Sequence, residues 1–221
     1  MSMLTFGCAA AQSVQAPVRL GNNDTVVFFG DSITEQGGGE NGYVTLFKTA
    51  VQAKLPEVKI VNAGVSGNKS TDLVSRVEKD VLSQQPAVAI IYIGINDVWH
   101  KRLFAGGGTS RENYETALTT LVQKFKANRI RPVLCTMTVI GELPDGQNPQ
   151  DQDLSDYAET VRRVCGREQV VLIDLRKRFM ETLAKRNPNR VSQGILTTDG
   201  VHLSTDGNKL VAAEMLKAFG L

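Results

Sequence analysis

Past Pro17 the chain alternates two kinds of pattern. Short, nearly continuous apolar runs are separated by longer stretches in which apolar residues recur every three or four positions. Five runs are strand-sized: Val26–Phe29, Val58–Asn62, Val88–Ile93, Val133–Thr138 and Val170–Asp174. They are rich in Val and Ile, and the third is apolar at nearly every position. Continuous rather than alternating apolarity predicts burial on both faces, as in a parallel sheet. Between the runs, Tyr43, Leu46, Phe47, Ala50, Val51 and Leu55 share one helical face, and so do Tyr114, Ala117, Leu118, Leu121, Val122 and Phe125. The spacing T-S-R-E from Thr109 to Glu112 predicts a capping box for the second of these helices. Val211, Met215, Ala218 and Phe219 form a last stripe, closed by Gly220. Strand and helix alternating in this way predict a three-layer α/β domain over residues 17–221, with helices on both faces of the sheet. The order of the strands is not legible from the pattern.

Three loops stand out: the glycine-rich Gln36–Gly42, Leu103–Thr109 with its three consecutive glycines, and the long, acidic, proline-broken Gly141–Ser155. Each is expected at a strand end, where open parallel sheets bind ligands. Neither glycine-rich loop has the G-K-[ST] ending of a phosphate cradle.

Composition narrows the function. The 221 residues are long enough to bury a core without disulfide or metal staples. With 25 basic and 23 acidic side chains the formal charge is +2, which gives no basis for capture of nucleic acid or an anionic membrane. No apolar run reaches the length of a membrane span. Cys8, Cys135 and Cys165 form no C-x-x-C pair, so a zinc or thioredoxin-type site has no footing and buried free thiols are expected. No metal or other cofactor is implied. Residues 1–16 read either as the remnant of an export signal, which places the protein in the periplasm or outside the cell, or as an irregular terminus of a cytoplasmic protein. Cys8 raises a lipid anchor, but Thr5 stands where a large aliphatic residue is expected.

Candidate chemistry sits at the predicted strand ends. The first strand runs into G-D-S-I-T, Gly30–Thr34. A serine at the tip of a buried strand is exposed and rigidly held, as a nucleophile requires, although it could equally cap the next helix. Thr34 stands where the second glycine of a G-x-S-x-G elbow belongs, which disfavours the common lipase turn. A serine needs a base, and the base needs an orienting group. Of the two histidines, His202 follows Asp199 by three positions in D-G-V-H, whereas His100 is flanked by Lys101 and Arg102. The second strand ends in N-A-G-V-S-G, Asn62–Gly67, and the third in G-I-N-D, Gly94–Asp97. Their backbone N–H groups and the Asn96 amide are candidate donors to an oxyanion.

These four blocks, in this order, resemble those of the SGNH (GDSL) esterase superfamily over nearly the whole chain from Val26. The resemblance implies a flavodoxin-like fold with a five-stranded parallel sheet. It implies Ser32 as nucleophile, His202 as general base and Asp199 as its orienting acid. It also implies an oxyanion hole from the N–H groups of Ser32 and Gly67 and the Asn96 side chain; Gly64 does not occupy the matching position. G-I-N-D-V-W-H-K, with Trp99 after Asn96, and G-I-L-T-T-D-G-V-H-L are similar to the acetylxylan-esterase and related carbohydrate-deacetylating branch. That branch tends to carry arginine after the tryptophan, where this chain has His100. Trp99 is then either a stacking face for a sugar ring or a residue packed beneath a loop. The implied activity is hydrolysis of short-chain esters, above all acetyl esters of carbohydrate, on a small-molecule or oligosaccharide partner. The alternative is a lysophospholipase or acyl thioesterase with the same site. A non-catalytic sugar-binding module would have lost Ser32, Asn96 or His202, and none is lost.

Overall fold

The computed structural model describes residues 16–144 and 146–221. The N-terminal segment with Cys8, on which the export and lipid-anchor expectations rest, lies outside the described residues. Five strands, β1 (Thr25–Gly30), β2 (Lys59–Gly64), β3 (Val88–Tyr92), β4 (Arg131–Cys135) and β5 (Val171–Ile173), pair in parallel in the order β2-β1-β3-β4-β5. Among the described residues eight α-helices connect or follow them: α1 (Ser32–Gln36), α2 (Tyr43–Gln52), α3 (Ser70–Asp80), α4 (Ile95–Leu103), α5 (Arg111–Ala127), α6 (Asp151–Glu168), α7 (Leu175–Arg186) and α8 (Thr205–Ala218), with a short 3-10 turn at Leu82–Gln84. Helices α2 and α8 pack together over one face, and α3, α5 and α6 over the other. The fold is thus three-layered, with the sheet between two layers of helices.

Burial follows position in the sheet. The central strand β3 is buried at every residue, whereas the edge strand β2 is partly exposed along its length. On one face Phe28 meets Tyr43 and Phe47 edge to face, and Phe47 meets Phe219 in the same way. Those contacts lock α2 and the end of α8 onto β1. Cys135 and Cys165 are buried free thiols, and burial pushes the Cys165 thiol up to about 12.

Several expected boundaries shift. The run Val58–Asn62 forms strand only from Lys59, and Val133–Thr138 is strand only to Cys135, where its pairing with both β3 and β5 ends. The helix over Tyr43–Leu55 stops at Gln52. The cap of α5 is Ser110, whose side chain accepts from the Asn113 N–H, so the expected Thr109–Glu112 capping box does not form. Two of the three loops do not directly follow strands. Gln36–Gly42 follows α1 and Leu103–Thr109 follows α4, while the second part of Gly141–Ser155 is already helix α6.

The chain enters at β1, moves to β2 on one side, then returns to β3 on the other. The sheet therefore reverses its winding between β1 and β3. Outside the carboxyl ends of strands at such a point there is a crevice that no crossover covers. The loops after β1, β2 and β3 meet there.

Candidate active site

Strand β1 runs directly into the turn that carries Ser32. A Cβ at Gly30 would lie 2.2 Å from Thr34 Oγ1 and 2.4 Å from Tyr92 O, so only glycine lets the chain turn into α1 there. Asp31 is the N-cap, its Oδ1 accepting from the Ile33 N–H at 2.9 Å. Ser32 is therefore the first helical residue rather than the cap. Thr34, in place of an elbow glycine, is buried and accepts from the Tyr43 hydroxyl at 2.9 Å, which ties α1 to the core.

Ser32 Oγ lies 3.0 Å from His202 Nε2, although the two residues are 170 positions apart. His202 Nδ1 lies 2.7 Å from Asp199 Oδ2. The other Asp199 oxygen accepts from the N–H groups of Val201 (2.9 Å) and His202 (2.8 Å). Burial pushes the Asp199 carboxyl up, but the hydrogen bonds from the His202 ring and these two N–H groups outweigh it and hold the carboxyl below its ordinary value. An ionised Asp199 assigns the imidazole proton to Nδ1 and leaves the Nε2 lone pair facing the serine. His100 takes no part in this chain of contacts. Its ring lies edge-on to Phe104 at 5.2 Å, and burial, then the charge of Lys69, lower its pKa.

The donors implied for an oxyanion hole come from three adjacent strands. Ser32 follows β1, Gly67 follows β2 and Asn96 follows β3. As the first residue of α1, Ser32 has an N–H with no intrahelical partner. Gly67 has φ +79°, a conformation that suits glycine and sets the direction of its N–H. Asn96 is buried and donates one amide hydrogen to Asn68 O at 3.0 Å, leaving a second hydrogen on the same nitrogen.

Two residues that the motifs did not single out hold these loops. Arg76 on α3 donates to Gly30 O, Ala63 O and Asn68 Oδ1, and so clamps the ends of β1 and β2 and the residue after Gly67. Asp97, next to Asn96, accepts from the Ser70 N–H and hydroxyl and fixes the start of α3. Asp97 was visible in G-I-N-D, but nothing around Arg76 marks it in the sequence.

Asp31 is 2% exposed and forms no salt bridge among the described residues, with the charge of Arg76 only a minor influence that lowers its pKa. Burial is the largest cause that pushes its carboxyl up from the usual 3.8 to about 7; the Ile33 N–H opposes this and the charge of Asp97 adds to it. The folded protein therefore holds this proton more tightly than the unfolded chain does. The resulting stabilisation is full below about pH 4, is lost as the pH rises to about 7, and amounts to something on the order of 4 kcal/mol. Asp31→Asn keeps an acceptor for Ile33 and removes the titration. We expect its Tm to fall much less than that of the parent between about pH 5 and about pH 8. Thermal melts showing the same fall in both proteins would refute this.

Trp99, on α4, is half-buried against the core, with its ring 6.2 Å from the His202 ring and edge-on to it. The His100 ring follows at 6.4 Å, and then Phe104, which is 59% exposed. The loop after α4 is thus less polar than its glycines suggest. A cavity of about 270 Å³ opens beside Ile33, lined by Gln36, Glu40, Asn41, Thr198 and Asn208 among others. Among the described residues no group of three or more His, Cys, Asp or Glu side chains is placed to hold a metal ion, and no helix is long and apolar enough to cross a membrane.

Comparison with known proteins identifies the family. Residues 28–210 match the GDSL-like lipase/acylhydrolase family. The acetylxylan esterase of Geobacillus stearothermophilus is 30% identical over 219 residues, covering 92% of this chain and 97% of that protein. The crystal structure of the acetyl xylan esterase AlAXEase superposes with a TM-score of 0.85 at 41% identity, covering 88% of this chain and 98% of the other. Structures of the Geobacillus enzyme Axe2 superpose at 0.81 with 28% identity, covering 92% of this chain and 97% of theirs. They include catalytic mutants in which a serine, an aspartate and the histidine three positions after that aspartate are each changed to alanine. The chain belongs to the GDSL-like lipase/acylhydrolase family and is a carboxylic ester hydrolase.

Proposed function

We propose that this enzyme removes short acyl groups, above all acetyl, from carbohydrate. The observation that carries the reading is the continuous contact from Ser32 Oγ through the His202 ring to Asp199. Ser32 Oγ attacks the ester carbonyl while His202 Nε2 takes its proton, and Asp199 stabilises the imidazolium that forms. The N–H groups of Ser32 and Gly67 and the Asn96 amide stabilise the tetrahedral oxyanion. His202 then gives the proton to the sugar oxygen as its bond to the acyl carbon breaks, so that the sugar departs as an alcohol and leaves an acetyl-Ser32. Water, deprotonated by the same imidazole, releases acetate and restores the serine.

Two observations support carbohydrate as the leaving group. The similar proteins above are acetylxylan esterases. Trp99, beside His202, begins a run of rings that ends in the exposed Phe104, a surface on which the C–H face of a sugar can lie. The acyl side is argued from polarity. An acyl chain gains about 0.8 kcal/mol for each methylene buried, and the segments Gln36–Gly42 and Gly141–Ser155, which are mostly Gly, Asn, Gln, Asp and Glu, offer few apolar side chains to bury the added methylenes of an octanoyl chain.

A substrate panel crossing acyl length with leaving group tests both halves. Acetyl esters should exceed octanoyl esters in kcat/KM. Trp99→Ala should lower kcat/KM up to about tenfold on acetylated xylo-oligosaccharide and far less on an aryl acetate. A rate that climbs with chain length favours the lysophospholipase or thioesterase alternative. Equal losses on both substrates reduce Trp99 to a packing residue.

A further inference from the structure

The segment that carries Asp199 and His202 runs from the end of α7 to the start of α8 without regular secondary structure, apart from one bridge between Thr197 and Leu203. No helix or ladder sets its path. Its shape is set instead from the loop after β4. Glu142 is 0% exposed, yet its carboxylate sits against this segment. Oε2 accepts from the Ile195 N–H at 2.8 Å. Oε1 accepts from the N–H groups of Leu196 (2.7 Å) and Thr197 (2.5 Å) and from the Thr197 hydroxyl (2.8 Å). All four donors are formally neutral, so three consecutive backbone N–H groups and one hydroxyl stand in for a counter-ion.

The backbone repeats the link. The Gly141 N–H donates to Gly200 O and the Glu142 N–H to Ser192 O, both at 2.8 Å. Asn187 closes the other end, its amide donating to Glu142 O and Val191 O. From the clamped residues the path to the imidazole is short: the Thr198 N–H donates to His202 O at 2.8 Å and the Ser204 N–H to Leu196 O at 2.9 Å.

We propose that Glu142 is a positioning residue for the acid–base pair. By drawing Ile195, Leu196 and Thr197 onto one buried carboxylate, it sets the height of His202 above Ser32. The inference rests on the Ser32–His202–Asp199 reading. A displacement of about 1 Å between reacting groups costs about 10²-fold in rate, so even a modest relaxation of this segment is visible in kcat.

The test compares Glu142→Gln, Thr197→Val and a core control, Val164→Ala on α6, with the parent enzyme on an aryl acetate. Glu142→Gln keeps one acceptor oxygen but turns an amide N–H₂ toward backbone donors. It should lower kcat by about 10- to 100-fold with KM nearly unchanged. The rate of fluorophosphonate labelling at Ser32 should fall with it, and the far-downfield proton resonance of the His202–Asp199 hydrogen bond should broaden or vanish. Thr197→Val removes only the hydroxyl bond and should give a smaller loss with the same signature, which keeps the test open if Glu142→Gln does not fold. Val164→Ala should lower Tm and leave kcat and the downfield resonance unchanged. If both clamp variants lower Tm while kcat and the resonance stay at parental values, Glu142 serves stability alone and the proposal fails. Turnover by Ser32→Ala would instead defeat the underlying site reading.

Discussion

Ser32→Ala is expected to lose ester hydrolysis by a factor on the order of 10⁴–10⁶ and to lose all stoichiometric labelling by a fluorophosphonate. The substitution deletes one oxygen, the atom 3.0 Å from His202 Nε2. It leaves the Asp31 cap of α1 and the packing of Ile33 and Thr34 untouched, so the fold should persist with an unchanged near-ultraviolet spectrum. His202→Ala should cost a similar factor. The double variant should be little worse than either single one, because the nucleophile and base act as one unit. His100→Ala should keep the parental pH–rate profile, since its ring contacts Phe104 and Trp99 rather than Ser32. A Ser32→Ala enzyme that still labels or turns over, or a titration lost in His100→Ala, would remove Ser32 or His202 from its role.

Asn96→Ala should lower kcat by about 10²–10³ while KM changes little, because the amide meets negative charge only as the tetrahedral intermediate forms. Part of the loss comes through the loop. The Asn96 amide also donates to Asn68 O, one residue beyond Gly67, so its removal loosens a second donor. Steady-state kinetics on an aryl acetate decide the matter. A loss below about tenfold would remove Asn96 from the oxyanion hole, and one confined to KM would show that it binds ground state and transition state alike.

How much of this was legible depends on the range of the interaction. The centre of the sheet was clear: Val88–Ile93 is apolar throughout because β3 is covered on both faces. The edges were less clear, since β2 and β5 are partly exposed and their pattern mixes with that of the neighbouring turns. The candidate site residues stood out because a nucleophile turn, a D-x-x-H and a G-I-N-D each need particular residues at short spacing. Glu142 and Arg76 did not stand out. An acid in an acidic loop and an arginine on a polar helix look like solvated charges until their partners are placed around them.

The alternation of apolar runs and amphipathic stretches, the serine turn and the Asp199–His202 spacing are properties of neighbours along the chain, and the sequence by itself determined them. The strand order, and with it the crevice between β1 and β3, belongs to the tertiary structure. So do the 3.0 Å contact between residues 170 positions apart and the clamp of Glu142 on an irregular segment. These depend on which buried faces and polar groups find one another once the helices close over the sheet. A buried carboxylate is tolerated only where donors converge on it, and that convergence exists only in the folded chain.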